Sequence, residues 1–391
     1  MKLNLDPTTT LPSDGAAGTL VGRAWLPQVD GPAVVVVRAD GVYDVTRTFP
    51  TVRDLAEARD PAAGLAAAKS ERIGTLADVL ANTPEDARDQ TKPWLLAPVD
   101  LQAIKAAGVT FAQSLLERVI EEQARGAPER AAAVRAEVEG ALGGAVAGLK
   151  PGSPQAAELK RLLQTKGLWS QYLEVGIGPD AEIFTKAPLM AAVGTGASIG
   201  ILEQSTWNNP EPEIVLVVNA SGAIVGATLG NDVNLRDLEG RSALLLGKSK
   251  DNNASAALGP FVRLFDRTFT LDDVRRAEVR LTVDGEDGFR LDGSSAMSRI
   301  SRDPADLVSQ MIGTHHQYPD GAVLYLGTMF APVKDRDAPG QGFTHHMGDV
   351  VTIASEKLGA LVNVVTTCDR APPWRFGTAA LMRNLAKRGF L

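Results

Sequence analysis

Cysteine and histidine are nearly missing from this chain of 391 residues: there is one cysteine, Cys368, and four histidines, the first of them His315. A single thiol cannot close an internal disulfide, which suits a reducing compartment, and a lone Cys368 reads as buried filler before it reads as a nucleophile. No run approaches the roughly 18 apolar residues that cross a bilayer, and the opening MKLNLDPTTTLPSDG has no apolar signal-peptide core. Basic residues do not dominate either. With 40 Lys and Arg against 47 Asp and Glu, a net charge of −7 and no basic stripe, the sequence argues against nucleic acid or anionic membrane as a main partner. The expectation is a soluble, cytoplasmic protein. At 44% hydrophobic and 22% charged residues, the composition suits one large core or a small domain beside a large one, and excludes disorder and collagen.

Chemistry is concentrated between Asn209 and Pro260. Glu211-Pro212-Glu213 runs straight into Ile214-Val215-Leu216-Val217-Val218, an apolar β-branched series that predicts a strand. Alternate side chains of a strand share a face, so Glu211 and Glu213 point the same way, while Pro212 is tolerated near the first strand position. Two like charges so close need a cation or a proton. Asn219-Ala220-Ser221-Gly222 reads as a hairpin turn and Ile224 to Leu229 as the returning strand, which brings Asp232 back toward the glutamates on a loop of turn-forming Gly230-Asn231-Asp232. Three convergent carboxylates without a nearby Cys or His suit a hard divalent ion, Mg²⁺ first and Mn²⁺ or Ca²⁺ next, since zinc recruits nitrogen or sulfur. Taken alone, an E-x-E ahead of a strand is more often a solvated sheet edge.

The company of that pair points further. Gly230-Asn231-Asp232-Val233-Asn234-Leu235-Arg236-Asp237, then Gly247-Lys248-Ser249-Lys250-Asp251, then Leu258-Gly259-Pro260 resemble, in order, the successive signatures of the fumarylacetoacetate hydrolase superfamily. The resemblance continues through Gly327-Thr328 to Gly348-Asp349-Val350-Val351 and Leu358-Gly359-Ala360-Leu361-Val362-Asn363, roughly the C-terminal two thirds of the chain. It implies an α+β protein with a large β-rich catalytic domain, a mixed β-sheet roll under a helical lid. The short interval from Glu213 to Asp232 resembles the dehydratase branch, whose members act on 2-keto-3-deoxypentonates. By the same resemblance Glu182 is a further acid at the metal or a catalytic group, Lys250 and not Lys248 is the active-site lysine, and Thr328 lies beside the substrate. A homodimer or homotetramer is expected.

Along the chain, residues 16–50 read as a β-meander and residues 51–82 as helical, with Glu85–Lys92 a polar linker. These bounds give a small N-terminal α/β domain over residues 1–92 and the catalytic domain over 93–391. Residues 112–148 predict two helices broken at Gly126-Ala127-Pro128. In the superfamily this region, about 112–150, closes over the site, and Ser114, Glu117 and Arg118 are its candidates to face substrate; a solvated helix held by local ion pairs is the plainer reading. Lys150–Tyr172 and Ser295–Met311 read as helices, Glu278–Leu291 as a hairpin, and 322–328, 349–354 and 360–365 as further strands. Both His315-His316 and His345-His346 read as surface pairs in polar loops. Gly327 lets substrate approach backbone and Thr328 offers a hydroxyl, or the two form a plain strand-to-loop turn.

The chemistry the resemblance implies is a Mg²⁺-dependent dehydration of a 2-keto-3-deoxypentonate to 2-oxoglutarate semialdehyde. The cation acts as a Lewis acid for the enolate, and Lys250, Glu182 and Glu117 share the catalytic proton and charge work. Arg236 binds the distal end of the substrate or forms a salt bridge with Asp237. Two alternatives stand beside it: a Mg²⁺-dependent C–C hydrolase of acylpyruvates, and a metal-stabilised binding protein without turnover. Hydrolase members use a histidine paired with a glutamate in the closing segment, and Phe111–Glu122 contains Glu117 but no histidine.

Overall fold

The computed structural model of the chain describes residues 3–142, 144, 146, 148–165, 167, 169–330, 332, 334–339 and 342–391. Residues 143, 145 and 147 of the expected closing segment lie outside them.

One large mixed sheet forms the frame. Strand Pro212–Val218 sits inside it, antiparallel to Ile224–Asp232 on one side and to Ala322–Tyr325 on the other. All its residues are buried, as expected of a strand covered on both faces, which reads as a continuous apolar run. The hairpin turn falls at Asn219–Gly222, where Asn219 Oδ1 accepts from Ser221 N and Ala223 N at 3.1 and 2.9 Å. Beyond Ile224–Asp232 the sheet continues through Ala256–Leu264 to Leu20–Leu26, Gly31–Arg38, Gly41–Asp44 and Glu71–Gly74; beyond Ala322–Tyr325 it continues through Ala103–Gly108 to Glu182–Ala187. A second sheet of five strands, ordered Arg290–Ala296, Glu278–Asp284, Val350–Ser355, Gly359–Thr367 and Ser198–Ile201, packs its apolar side on the first. The core between the two sheets includes Leu216, Leu229, Val279, Leu281, Ile353 and Leu361.

The α+β architecture expected of the sequence is present, with several local differences. Leu20 and Val21 pair with Arg263 and Val262, so the main sheet runs without a break from the first 92 residues into the rest of the chain. Residues 51–82 hold three short helices with strand Glu71–Gly74 among them. Ser295–Met311 is not one helix: Arg290–Ala296 stays in the hairpin strand, and the helix begins at Pro304, capped by the Asp303 carboxylate. A proline at the first helical turn is a start signal that outweighs the apolar spacing before it. The closing segment does break as expected, into helices Ala112–Ala124 and Pro128–Leu142. Helices Pro154–Thr165 and Gln171–Ile177 support them through a separate apolar cluster with Leu115, Val119, Ile120 and Leu173.

Candidate active site

The ends of the central strands deliver the three expected carboxylates to one place. Glu211 stands just before strand Pro212–Val218 and Glu213 is its second residue. Asp232 N donates to Glu211 O at 3.1 Å, and Glu211 N donates to Asn231 Oδ1 at 3.0 Å. Asp232 is therefore the last residue of strand Ile224–Asp232, paired with Ala256, and not a loop residue as its turn-forming neighbours suggest. Ladder pairing on both sides overrides local turn preference. Glu211, Glu213 and Asp232 are all buried, and one carboxylate oxygen from each lies within 4.8 Å of the others. Glu182 is not part of this tight group.

Cations of the protein surround the trio. Lys250 ends helix Leu246–Lys250, and its Nζ donates to Glu211 Oε2 at 2.7 Å and to Asp232 Oδ2 at 3.0 Å. Lys248, on the same short helix, is exposed. Lys186, fully buried, has its Nζ 2.8 Å from Asp232 Oδ1 and donates hydrogen bonds to the carbonyls of Val233 and Lys250 and to Ser255 Oγ. Asp232 Oδ1 thus has the Lys186 ammonium as its partner. Burial opposes charge on Lys250, yet Asp232, Glu211 and Glu239 hold its pKa above the ordinary lysine value. Burial also opposes charge on Asp232, and Lys186 and Lys250 overcome it, holding the carboxyl at about 2. On Glu213 burial wins, reinforced by Asp232 and Glu211, and its pKa rises well above the carboxylate range. Seven carboxyl groups line the cleft with Arg118, Arg236 and Lys250, while Lys186 and Arg135 reach Asp232 and Glu117 from behind the lining. An oxygen-only, buried donor set of three carboxylates fits a hard divalent cation.

Every residue expected at the site lines this one cleft: Ser114, Glu117, Glu182, Glu211, Glu213, Asp232, Arg236, Lys250, Gly327 and Thr328. Glu182 opens strand Glu182–Ala187 opposite Gly108, where a Cβ would stand 2.1 Å from Glu182 Oε2, so the glycine makes room for the carboxyl. Burial, and then Glu239, push Glu182 up to about 7. Ser114 Oγ donates to Phe111 O at 3.0 Å within its own helix. Thr328 Oγ1 accepts from Phe330 N at 3.0 Å. Gly327 N donates to Glu213 Oε2 at 2.6 Å, and Gly327 sits at φ +85°, where a Cβ would also meet Thr110 Oγ1 at 2.1 Å. Gly327→Ala is therefore expected to cost roughly 1–3 kcal/mol of stability in denaturant unfolding, from left-handed strain and the clash together. An unchanged midpoint would mean that the turn relaxes freely.

Arg236 lines the cleft but does not form the salt bridge with Asp237. Its Nε donates to Glu121 Oε1 at 2.7 Å, its Nη2 to Glu117 Oε2 at 3.0 Å and its Nη1 to Pro332 O at 3.2 Å, with the guanidinium 4.3 Å over the Trp207 ring. Asp237 instead accepts from Ser205 and Thr206. Arg236 thus ties the closing helix to the floor of the cleft, and Glu117 is shared between Arg236 and Arg135. Within the same helix, Arg118 pairs with Glu121.

Three groups at the cleft go beyond the residues singled out in the sequence. Glu239 lies one helical turn after Arg236, an i,i+3 spacing that puts both toward the cleft, and burial raises its pKa. Glu121 follows Glu117 by one turn in the same way. Lys186 falls at an irregularity of strand Glu182–Ala187, where the register skips it, so plain alternation does not reveal it. His345, expected at the surface, is buried, its Nδ1 3.2 Å from Asp349 Oδ2, while Arg336 holds the same carboxylate from both oxygens. Asp349 also accepts from His346 N at 3.0 Å, so the polar loop folds inward around one carboxylate. His315 and His316 are exposed as expected, and among the described residues no histidine lines the cleft.

Comparison with known proteins agrees with this geometry. The family model "Fumarylacetoacetate (FAA) hydrolase C-terminal" matches residues 179–366. The protein named "Probable 2-keto-3-deoxyxylonate dehydratase" of Haloferax volcanii is 33% identical over 196 residues, 50% of this chain and 64% of that protein. The 2-dehydro-3-deoxy-D-arabinonate dehydratase of Saccharolobus solfataricus is 29% identical over 187 residues, 47% of this chain and 58% of that protein. The chain thus spans less than two thirds of the length of either relative. Among solved structures, a 2-keto-3-deoxy-D-arabinonate dehydratase complexed with magnesium and 2,5-dioxopentanoate has a TM-score of 0.59 at 19% identity, over 89% of this chain and 99% of that one. A fumarylacetoacetate hydrolase of Exiguobacterium antarcticum has a TM-score of 0.52 at 16% identity, also over 89% and 99%. At such identities the likeness is one of fold. The matched segment, residues 179–366, is similar to the fumarylacetoacetate hydrolase C-terminal family and contains the three buried carboxylates.

Proposed function

We propose that the protein is a Mg²⁺-dependent hydro-lyase that removes water from a 2-keto-3-deoxypentonate to give 2-oxoglutarate semialdehyde. The observation that carries the reading is the cleft itself: a buried oxygen-only trio, a lysine kept protonated beside it, and no imidazole among the lining residues. The names of the two curated relatives and the ligands of the solved dehydratase support it.

Glu211, Glu213 and Asp232 would hold the cation, which when bound supplies Lewis-acid stabilisation to the enolate of a 2-keto acid. Small size and a preference for carboxylate oxygen favour Mg²⁺ among hard ions. Lys250, held as an ammonium by Asp232, Glu211 and Glu239, places positive charge where the enolate develops. Glu182 is the group suited to proton movement: a carboxyl near neutrality takes the C3 proton as a carboxylate and returns a proton to the C4 hydroxyl as it leaves. The products are then water and a 2-keto acid unsaturated between C3 and C4, and transfer of a proton from C5 to C3 by way of the dienol converts it to the enol of the semialdehyde, which tautomerises. Ser114, Thr328 and the Gly327 backbone line the space for the substrate's hydroxyls.

Burial and Glu239 raise Glu182, so its catalytic carboxylate is lost as pH falls through about 7. The pH profile of kcat/KM is expected to show an acid limb on that side of neutrality, and Glu182→Gln to remove both the limb and most turnover. A flat profile across the neutral range in the wild type would take the proton step away from Glu182. Chelation by EDTA is expected to abolish turnover, and added Mg²⁺ to restore it; metal-independent turnover would remove the cation from the mechanism.

A further inference from the structure

The cleft is nearly full of the protein's own side chains: its cavity is about 30 Å³, room for a water or two. A five-carbon acid cannot enter without displacement of something. Arg118 is the group best placed to move. It stands in the closing helix Ala112–Ala124 with its side chain 12% exposed, and its Nη2 donates to Glu211 Oε1. Its Nη1 donates to Glu121 Oε2 at 2.6 Å and lies 3.3 Å from Glu239 Oε2. Since Lys250 takes the other oxygen of Glu211, both oxygens of that ligand are covered by protein cations. Before Glu211 can serve a divalent ion, one of the two must give way.

The two are not equally free to do so. Lys250 holds Glu211 and Asp232 and, among the described residues, has no other anion in contact, so withdrawing it would strand a buried ammonium, a costly state. Arg118 keeps Glu121 and Glu239 when it lets Glu211 go. Glu239 Oε2, which has no hydrogen bond, offers it a waiting acceptor. We propose that Arg118 is a built-in competitor for the divalent cation at Glu211, and that its displacement turns a guanidinium edge of the closing helix toward the carboxylate of the incoming keto acid. Cation binding then precedes substrate binding, and Arg118 acts as a positioning residue.

The inference rests on the cation reading of the carboxylate trio, and the test separates the two. Mg²⁺ is titrated calorimetrically, without substrate, into the wild type, Arg118→Gln, Arg118→Lys and Arg236→Gln. The lysine variant keeps the charge but cannot reach Glu211 while paired with Glu121, so it isolates competition from simple repulsion and stands in if the glutamine variant folds poorly. Both Arg118 variants should bind Mg²⁺ more tightly by about tenfold, the equivalent of one charge-assisted hydrogen bond. Arg236→Gln, which makes no contact with Glu211, should change it less. Pyruvate, titrated into the Mg²⁺-loaded proteins, should bind the Arg118 variants at least severalfold more weakly. Unchanged or weaker Mg²⁺ binding in both Arg118 variants, or an equal gain in Arg236→Gln, would overturn the competition. Unchanged pyruvate binding would overturn the delivery to substrate. If the wild type and all variants bind no Mg²⁺, it is the cation reading itself that fails.

Discussion

Lys250→Met is expected to lower kcat by roughly 10²–10⁴, the range for removing a group that stabilises charge or moves a proton in the transition state. The physical ground is its position: a buried ammonium 2.7 Å from Glu211 Oε2 and 3.0 Å from Asp232 Oδ2, held charged by the carboxylates it touches. Methionine fills the same volume with an apolar chain, so the change removes charge more than packing. Because the ammonium also neutralises two ligands, the variant should bind Mg²⁺ at least as well as the wild type while turning over poorly. Lys248→Met serves as the control, since Lys248 is exposed on the same helix and should keep near-normal kcat. Loss of activity in Lys248→Met with Lys250→Met intact would reverse the assignment.

Asp232→Asn should weaken Mg²⁺ binding by more than the roughly 10–100-fold that even changes behind a metal's direct ligands cost. Asp232 is firmly ionised, with Lys186 and Lys250 holding it at about 2, whereas burial raises Glu213 well above the carboxylate range. Glu213→Gln should therefore lose less affinity than Asp232→Asn, because part of the binding energy in the wild type goes into stripping its proton. Calorimetry on the two variants, with circular dichroism to check folding, decides it. Unchanged affinity in Asp232→Asn, Glu213→Gln and Glu211→Gln alike would place the cation elsewhere.

Much of the frame was legible because periodicity and turn chemistry agreed. Glu211 and Glu213 could be put on one face from strand alternation alone, and Gly126-Ala127-Pro128 marked the break between the two closing helices. Asp232 was placed at the right spot by the wrong element, since nothing local reveals that Asn231 and Asp232 pair with Ala257 and Ala256 far along the chain. The same limit hid the partners of Arg236: its neighbour Asp237 is adjacent in sequence, but Glu117 and Glu121 come from a helix more than a hundred residues earlier. His345 looked like a surface residue in a polar loop, and only the gathering of Arg336, His345 and His346 on Asp349 turns it inward. Side-chain partnerships across elements are what a single sequence conceals, and the charge network of this cleft is made of them.

The central claim is tested most directly by the products formed from two classes of substrate with Mg²⁺-loaded protein. A 2-keto-3-deoxypentonate should give 2-oxoglutarate semialdehyde, trapped as its hydrazone, with no change in carbon count, and an acylpyruvate should be left intact. The reason is that a hydrolase must activate water with a base, and the cleft offers a raised carboxyl but no imidazole to do so. Cleavage of the acylpyruvate to pyruvate and a carboxylic acid, with no semialdehyde from any pentonate, would contradict the account.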